Sequence, residues 1–441
     1  MANLNGTAGE DILNGGGGSD VLKGFAGDDE LYGGGGSDLL KGGAGDDFLR
    51  GNGGNDTLLG GSGDDDLYGG NGDDILLGGD GNDNLYSTAG DDLMEGGDGD
   101  DELSTEGDGQ SILKGQSGDD WLVAYNSSNV LKGGSGNDHL YIYNANKNKA
   151  DGGAGDDLLS ATGNRNILDG GNGNDDIEAT GNKNVLDGED GNDEMTTEGA
   201  DNELYGGSGE DLMTGAGENV LMNGGSGDDE MHAGDGSGRL EGGTGDDTMA
   251  VSEGAEYKVI GGAGDDTLSS FLVSDVVLKG GAGDDTITAH LSTGTLKGGA
   301  GDDTLTTGLG EFILKGGTGN DYLLAGAGDD ELFGGKGADY LRGGLGDDEL
   351  TGGKGADQFV FHHDESFDVV LDYKDGTDLL DFSNFGFVNA GQVLPHFYEI
   401  GSSSDGVVGF EYNDTNIEIH GADLGDIDAG DLIYFEFVLI P

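Results

Sequence analysis

Cysteine is absent from this 441-residue sequence, and proline occurs only twice. Without thiols the chain has neither disulfides nor thiolate metal sites. Its 99 glycines, with almost no proline and no three-residue period, exclude collagen. Bases are scarce: 18 Lys and Arg face 90 Asp and Glu, a net charge of -72. Such a chain repels nucleic acid and anionic membranes and attracts multivalent cations. No apolar run reaches the length of a membrane-spanning helix, so membrane insertion is not expected. Met1-Ala2-Asn3-Leu4-Asn5-Gly6 also lacks the apolar core of a signal peptide. High charge with low hydrophobicity is the composition of a disordered chain. So few aliphatic side chains cannot alone offset the entropy of ordering the backbone between them.

What the sequence has instead is a period. Asp11, Asp20, Asp29, Asp38, Asp47, Asp56, Asp65, Asp74, Asp83, Asp92 and Asp101 follow one another at nine-residue intervals. A glycine-rich turn precedes each, as in Gly42-Gly43-Ala44-Gly45-Asp46-Asp47, and a large apolar residue follows two positions on, from Leu13 and Leu22 to Met94 and Leu103. The unit is G-G-x-G-x-D-x-U-x, with U aliphatic. Glycine carries a turn through positive φ, and the three remaining residues make a short strand whose middle side chain faces inward. Two units close a coil of eighteen residues, with turns on opposite edges and the U side chains between two sheets. Successive turns on one edge then stack about 4.8 Å apart, Asp11 near Asp29 and Asp20 near Asp38. A carboxylate from each, with turn carbonyls, makes an all-oxygen site suited to a hard cation such as Ca²⁺. Bound cations would supply the cohesion that apolar burial lacks.

After Leu103 the spacing changes. The motif aspartates become Asp120, Asp138, Asp157, Asp175, Asp193, Asp211, Asp229, Asp247, Asp266, Asp285, Asp303 and Asp321, eighteen or nineteen residues apart. Nine-residue spacing returns with Asp330, Asp339, Asp348 and Asp357. Sorted by edge, one edge keeps its aspartates throughout. The other holds Asp20 to Asp92, lapses, and resumes at Asp330. In the lapse, turns such as Gly163-Asn164-Arg165-Asn166 and Gly181-Asn182-Lys183-Asn184 place Asn166, Asn184 and Asn202 where an aspartate is due. Neutral amides can stack and bond without a counter-ion. The extra residue of a nineteen-residue coil is expected in the irregular turn. The organisation expected is a roll with calcium turns on both edges over 1–103, on one edge over 104–324, and on both again over 325–357. A cap over 358–390, rich in Phe (Phe359, Phe361, Phe382, Phe385, Phe387), and a β segment over 391–441 follow. The fold class is all-β, a right-handed parallel β-roll of about 20 coils closed by a C-terminal β cap.

These nonapeptides resemble the RTX (repeats-in-toxin) family of secreted bacterial proteins. Gly355-Ala356-Asp357-Gln358-Phe359-Val360-Phe361 and Asp375-Gly376-Thr377-Asp378-Leu379-Leu380-Asp381-Phe382 look like the cap of RTX rolls in serralysin-type proteases and alginate epimerases. The resemblance implies export by type I secretion machinery through an uncleaved C-terminal signal, with folding outside the cell at higher calcium. RTX enzymes carry a catalytic domain before their repeats, whereas here the repeats begin at residue 6. No activity is carried over, and no catalytic residues are expected.

Other clusters carry less. The acids one position before the motif (Asp46, Asp64, Asp73, Asp246, Asp284) are expected to face solvent rather than bind metal. His362-His363-Asp364-Glu365 reads as a polar loop between cap strands. No zinc-protease His-Glu-x-x-His, nucleophile elbow, phosphate loop or EF-hand pattern occurs. Trp121, Val123 and Tyr125 on one coil and His139, Tyr141 and Tyr143 on the next should point outward, stacking Trp121 on His139 and Tyr125 on Tyr143. Such ladders stabilise sheets and also bind sugars or partners; the sheet role is the favoured one. The role expected is that of a structural calcium-binding component of the cell surface or extracellular matrix, self-associating through an unpaired first coil near Asn3. The alternatives are a module binding cell-surface glycans and a repeat-only accessory partner of a secreted enzyme.

Overall fold

The inward aliphatic residue of each nonapeptide decides the architecture. Leu22, Leu31, Leu40, Leu49, Leu58, Leu67 and Leu76 have no exposed surface, while their neighbours on either side are exposed or half-buried. Such alternation leaves each strand one apolar face, which only a second sheet can cover. The computed structural model describes residues 1–291, 293–363, 366–401 and 406–433. It divides into two units, Met1–Gly224 and Gly225–Pro441. Each is a parallel β-roll, as the period requires.

In the first unit, alternate strands stack in two sheets. One runs Asn3–Asn5, Val21–Ala26, Leu39–Ala44, Thr57–Ser62 and onward; the other runs Ile12–Gly17, Glu30–Gly35, Phe48–Gly53, Asp66–Asn71 and onward. Partners lie one coil apart in parallel register, Leu22 on Leu40 and Leu40 on Leu58. The strands are longer than the three residues expected. They run into the glycine turn, where Gly43 pairs with Gly61 and Ala44 with Ser62. Among the described residues, Asn3–Asn5 and Ile12–Gly17 pair on one side only. The extra residues of two longer coils fall in irregular turns, between Thr105 and Ile112 and between Ile142 and Lys149.

The second unit repeats the pattern over strands such as Thr248–Ala263, Thr267–Ala282 and Glu331–Lys336. It ends in the expected cap. Gln358–Val360 and Leu379–Asp381 continue one sheet, and Phe367–Val370 the other. Phe359, Phe361 and Phe382 are buried, and the ring of Phe382 packs on Phe361, Phe385, Phe397 and Phe410. Phe397 and Phe410 belong to an antiparallel hairpin beyond residue 390, so the 391–433 segment shares the cap's core rather than following it as a separate piece. The last part of the expected 391–441 segment, 434–441, lies outside the described residues.

Candidate metal centre

Each motif aspartate holds its own edge together before any ion is considered. In the first unit the backbone N–H of Asp11 donates to Oδ1 of Asp29 at 2.8 Å, and the pattern repeats coil by coil through Asp47, Asp65, Asp83 and Asp101 to Asp120. It continues through Asp138, Asp157, Asp175 and Asp193 to Asp211, every bond between 2.7 and 2.9 Å. The opposite edge does the same from Asp20 through Asp38, Asp56 and Asp74 to Asp92. In the second unit the column runs from Asp229 through Asp247, Asp266, Asp285, Asp303, Asp321 and Asp339 to Asp357. Asp330 and Asp348 are bonded likewise on the other edge. All are buried except Asp11, which is half-buried at the first coil.

The second carboxylate oxygen is the chemically informative one. Oδ2 of Asp47, Asp65, Asp83, Asp101, Asp138, Asp157, Asp247, Asp303 and Asp339, among others, is buried and accepts no hydrogen bond. It points back over the first glycine of its own turn. A Cβ on Gly60 would lie 2.3 Å from Oδ2 of Asp65 and 2.7 Å from the carbonyl oxygen of Gly78 on the next coil. Gly133 and Gly152 in the first unit, and Gly242 and Gly334 in the second, face the same pairing of a carboxylate and a next-coil carbonyl. At those glycines a side chain would collide with the carboxylate, whereas before Asp92 and Asp330 the same place holds Ser87 and Ala325. The glycine after that first one is favoured by conformation: Gly43 has φ 132°, and where Phe25 takes this place the backbone keeps φ 85° and leaves the ring outside.

Burial of these carboxylates without a positive partner disfavours their ionised form. It pushes Asp65, Asp138, Asp157, Asp175, Asp266 and Asp303 up to about 7 and Asp101 up to about 8, with neighbouring carboxylates adding to the effect and the donated N–H opposing it. Asp20 is the exception: the N–H of Ala2, aided by the terminal ammonium, holds it below the usual range. Among the described residues no three carboxylate or imidazole side chains converge on one point. A cation here would therefore take much of its shell from turn carbonyls, which suits Ca²⁺ with its six to eight oxygen ligands. An unsatisfied buried carboxylate oxygen beside a carbonyl oxygen fits such an ion.

On the second edge of the first unit the column changes chemistry without changing place. Asp92 donates its N–H to Oγ of Ser111, Ser111 to Oδ1 of Asn129, and so on through Asn148, Asn166 and Asn184 to Asn202. Asn166, Asn184 and Asn202 fill their expected positions. Ser111, Asn129 and Asn148 extend the column further than those three; the longer coils displace Ser111 and Asn148 from a nine-residue count, whereas Asn129 keeps it, nine residues after Asp120. The amide nitrogens are satisfied: Nδ2 of Asn166 donates to the carbonyl of Ala145, that of Asn184 to Gly163, and that of Asn202 to Gly181. In the second unit the corresponding positions become apolar, Tyr257, Val276 and Phe312, before Asp330.

Both columns end in the cap on aspartates that the motif does not mark. Asp348 donates its N–H to Oδ1 of Asp368 and Asp357 to Oδ1 of Asp378. Oδ2 of Asp378 accepts from the N–H of Lys374 at 2.8 Å, so this last carboxylate is satisfied within the protein. Asp372 spans the N–H groups of Gly352 and Gly353 at 2.8 Å each. The surviving signal for Asp368 and Asp378 is an aspartate two residues before an aliphatic, with the glycine pair gone and only Gly376 kept before Asp378.

The outer acids face solvent as expected. They also form a second column of opposite sense, in which Oδ1 of Asp46 accepts from the N–H of Asp64 at 3.0 Å and Oδ1 of Asp64 from Asn82 at 2.9 Å. Asp73, Asp246 and Asp284 do the same for Asp91, Asp265 and Asp302. Of the aromatic patch, Trp121, Tyr125 and Tyr143 are 42, 45 and 40% exposed, whereas Val123 is buried in register with Tyr141. Tyr125 and Tyr143 stack at 5.4 Å. Trp121 meets His139 edge-on at 5.0 Å rather than stacking on it, and leans over Tyr141 at 4.9 Å. In the polar cap loop, His362 bonds Arg342 and His363 bonds Asn413; Asp364 and Glu365 lie outside the described residues.

The family model for the RTX calcium-binding nonapeptide repeat (four copies) matches this chain in successive segments, 5–40, 41–76, 77–109, 114–141 and 151–186 among them, the last ending at residue 360. No curated protein matches it in sequence. Among solved structures, the extracellular lipase LipA from Serratia marcescens matches at 16% identity and a TM-score of 0.15, over 50% of this chain and 40% of the lipase. The chain thus spans less than half of that protein's length.

Proposed function

Because this chain belongs to the RTX calcium-binding nonapeptide repeat family, we propose that it is a secreted protein whose rolls fold on binding Ca²⁺ outside the cell and then serve structurally at the surface or in the extracellular matrix. The observation that carries this reading is the set of buried carboxylate oxygens that accept no hydrogen bond, those of Asp56, Asp65, Asp83, Asp138, Asp157, Asp193, Asp247 and Asp339 lying beside a carbonyl of the next coil. At low calcium those charges oppose closure of the coils, so the chain stays open and can be threaded through type I secretion machinery. At higher calcium each ion links neighbouring turns, and folding free energy is largely binding free energy. In this reading the protein catalyses nothing; its ligand is its cement. The test is far-UV circular dichroism of the full chain at neutral pH, titrated with Ca²⁺ after chelation. A large gain of β signal is expected, and an equally folded chain in excess chelator overturns the proposal. Antibody labelling of intact, unpermeabilised producing cells tests the extracellular placement.

A further inference from the structure

Bases are rare in this chain, yet three of them share one place. Lys147, Arg165 and Lys183 occupy the tip of the asparagine-edge turn on three successive coils of the first unit, each at φ 61° or 62°. Their backbone N–H groups donate to the carbonyls of Asn164, Asn182 and Ala200, which pins the tips and turns the side chains outward. Together with Ser127, Asn146 and Asn164 they line an open groove of about 580 Å³. Elsewhere in this unit Lys114 pairs with Glu95 and Lys132 with Asp151 at 2.7 Å each. In the groove, Lys183 meets Asp201 at 3.5 Å, and among the described residues Lys147 and Arg165 form no ion pair.

The aromatic patch leads directly into this groove. Tyr125 precedes Ser127 by two residues and Tyr143 precedes Lys147 by four. The rings of Tyr141 and Tyr143 lie parallel within 5° at 6.0 Å, with Trp121 over Tyr141. Other rings on this sheet, Tyr32, Phe48, Tyr68 and Tyr86, form a similar row but adjoin no basic turn. Exposed aromatic faces accept the apolar faces of sugar rings. Asparagine amides and serine hydroxyls match sugar hydroxyls, and lysine with arginine matches carboxylate or sulfate. Successive coils repeat these groups every 4.8 Å or so, a step comparable with one sugar of an extended chain. The net charge of -72 opposes any polyanion at long range. At physiological salt that repulsion is screened beyond about 8 Å, and ring stacking does not depend on it.

We propose that the Trp121–Tyr143 platform and the Lys147–Lys183 groove form a binding site for an acidic polysaccharide, carboxylated or sulfated. The site requires the folded roll and so rests on the calcium reading. The test uses the full chain at the lowest calcium that keeps it folded by circular dichroism, with polygalacturonate, dextran sulfate, neutral dextran and oligothymidylate as probes in isothermal titration. Binding of one or both acidic polysaccharides is expected, with neutral dextran silent. The polymer that binds identifies the acidic group. Lys147→Ala/Arg165→Ala/Lys183→Ala should weaken binding at least tenfold, and Trp121→Ala/Tyr143→Ala comparably, while Lys279→Ala/Lys297→Ala/Lys315→Ala in the second unit leaves it unchanged. A folded wild type that binds neither acidic polymer overturns the site, as does undiminished binding by the groove variant or tighter binding of oligothymidylate. Sedimentation showing self-association lost in the groove variant would reassign the groove to a second copy and overturn it too. Circular dichroism in the same buffer separates these results from a chain that fails to fold with calcium, which breaks the earlier reading instead.

Discussion

In the first unit an aspartate column on one edge and an asparagine column on the other perform the same backbone task one atom apart. Both accept the N–H of the preceding coil on Oδ1. Where asparagine then presents an N–H₂ that donates to a carbonyl, aspartate presents an oxygen with nothing to accept from. The residues five positions earlier differ to match. Glycine leaves a cradle before Asp65, Asp138 and Asp157, whereas before Asn166, Asn184 and Asn202 stand the buried Ala161, Ala179 and Thr197, whose Cβ atoms fill that position. One edge is closed by side chains, and the other leaves carboxylate oxygens lining an open cradle. The asparagine column is thus an internal control for the aspartate column.

Chelation is the most severe way to break the comparison. At neutral pH it should open the rolls, and not uniformly. Coils over 11–103 carry aspartate columns on both edges, so hydrogen exchange during stepwise chelation should reach them before the coils over 129–202, which carry one. Simultaneous loss throughout the first unit would deny the asparagine edge any independent strength. Acid should substitute for calcium. Carboxylates such as Asp65 and Asp101, pushed by burial from the ordinary 3.8 up to about 7 and about 8 in the fold, bind protons more tightly folded than unfolded. Metal-free stability is then fully present below about pH 4 and is lost as pH rises through 6 to 8. Circular dichroism in chelator should show β structure returning on acidification. The sign reverses with calcium present, since protons compete for the same oxygens and affinity falls as pH drops through that window.

Exchanging features between the columns has a smaller effect. Asn166→Asp removes the donor to Ala145 and buries a charge beside a filled cradle; about 3 kcal/mol of stability should be lost in calcium-saturated buffer, read by denaturant unfolding. Gly60→Ala makes the converse change, placing a methyl group against Oδ2 of Asp65 and the carbonyl of Gly78. Native mass spectrometry should count at least one calcium fewer than wild type, and an unchanged count would show that the cradle is not where the ion sits.

Much of this is legible in the sequence because a strict period leaves little choice: one inward aliphatic per nine residues sets the register, and the register stacks the aspartates. The atom-level roles are not legible. Which oxygen of Asp65 caps a backbone N–H depends on turn geometry that composition does not encode. Ser111 and Asn148 are hidden by longer coils that break the count, and Asp368 and Asp378 by the loss of the glycine pair that announces the motif. Tyr257, Val276 and Phe312 take over an edge position as apolar residues, which no polar pattern would flag. Trp121 leans on Tyr141 because a side-chain rotamer, not a spacing, decides which neighbour a ring meets.

The smallest effect sharpens the distinction between the inner and outer acids. Asp46 and Asp47 are adjacent, yet Asp47 is buried with a lone oxygen while Asp46 stands in solvent with Oδ1 bonded to the N–H of Asp64. Water hydrates the other oxygen of an exposed carboxylate, so it has no need of an ion. Asp46→Ala therefore removes one exposed hydrogen bond, which should cost less than about 1 kcal/mol, with no change in the calcium count. Asp47→Ala should reduce that count and expose the neighbouring coils to exchange. If Asp46→Ala lowered the count as far as Asp47→Ala, the ions would have to lie in the outer row, where the carboxylates are already hydrated and bonded, and the buried column would be left without a function.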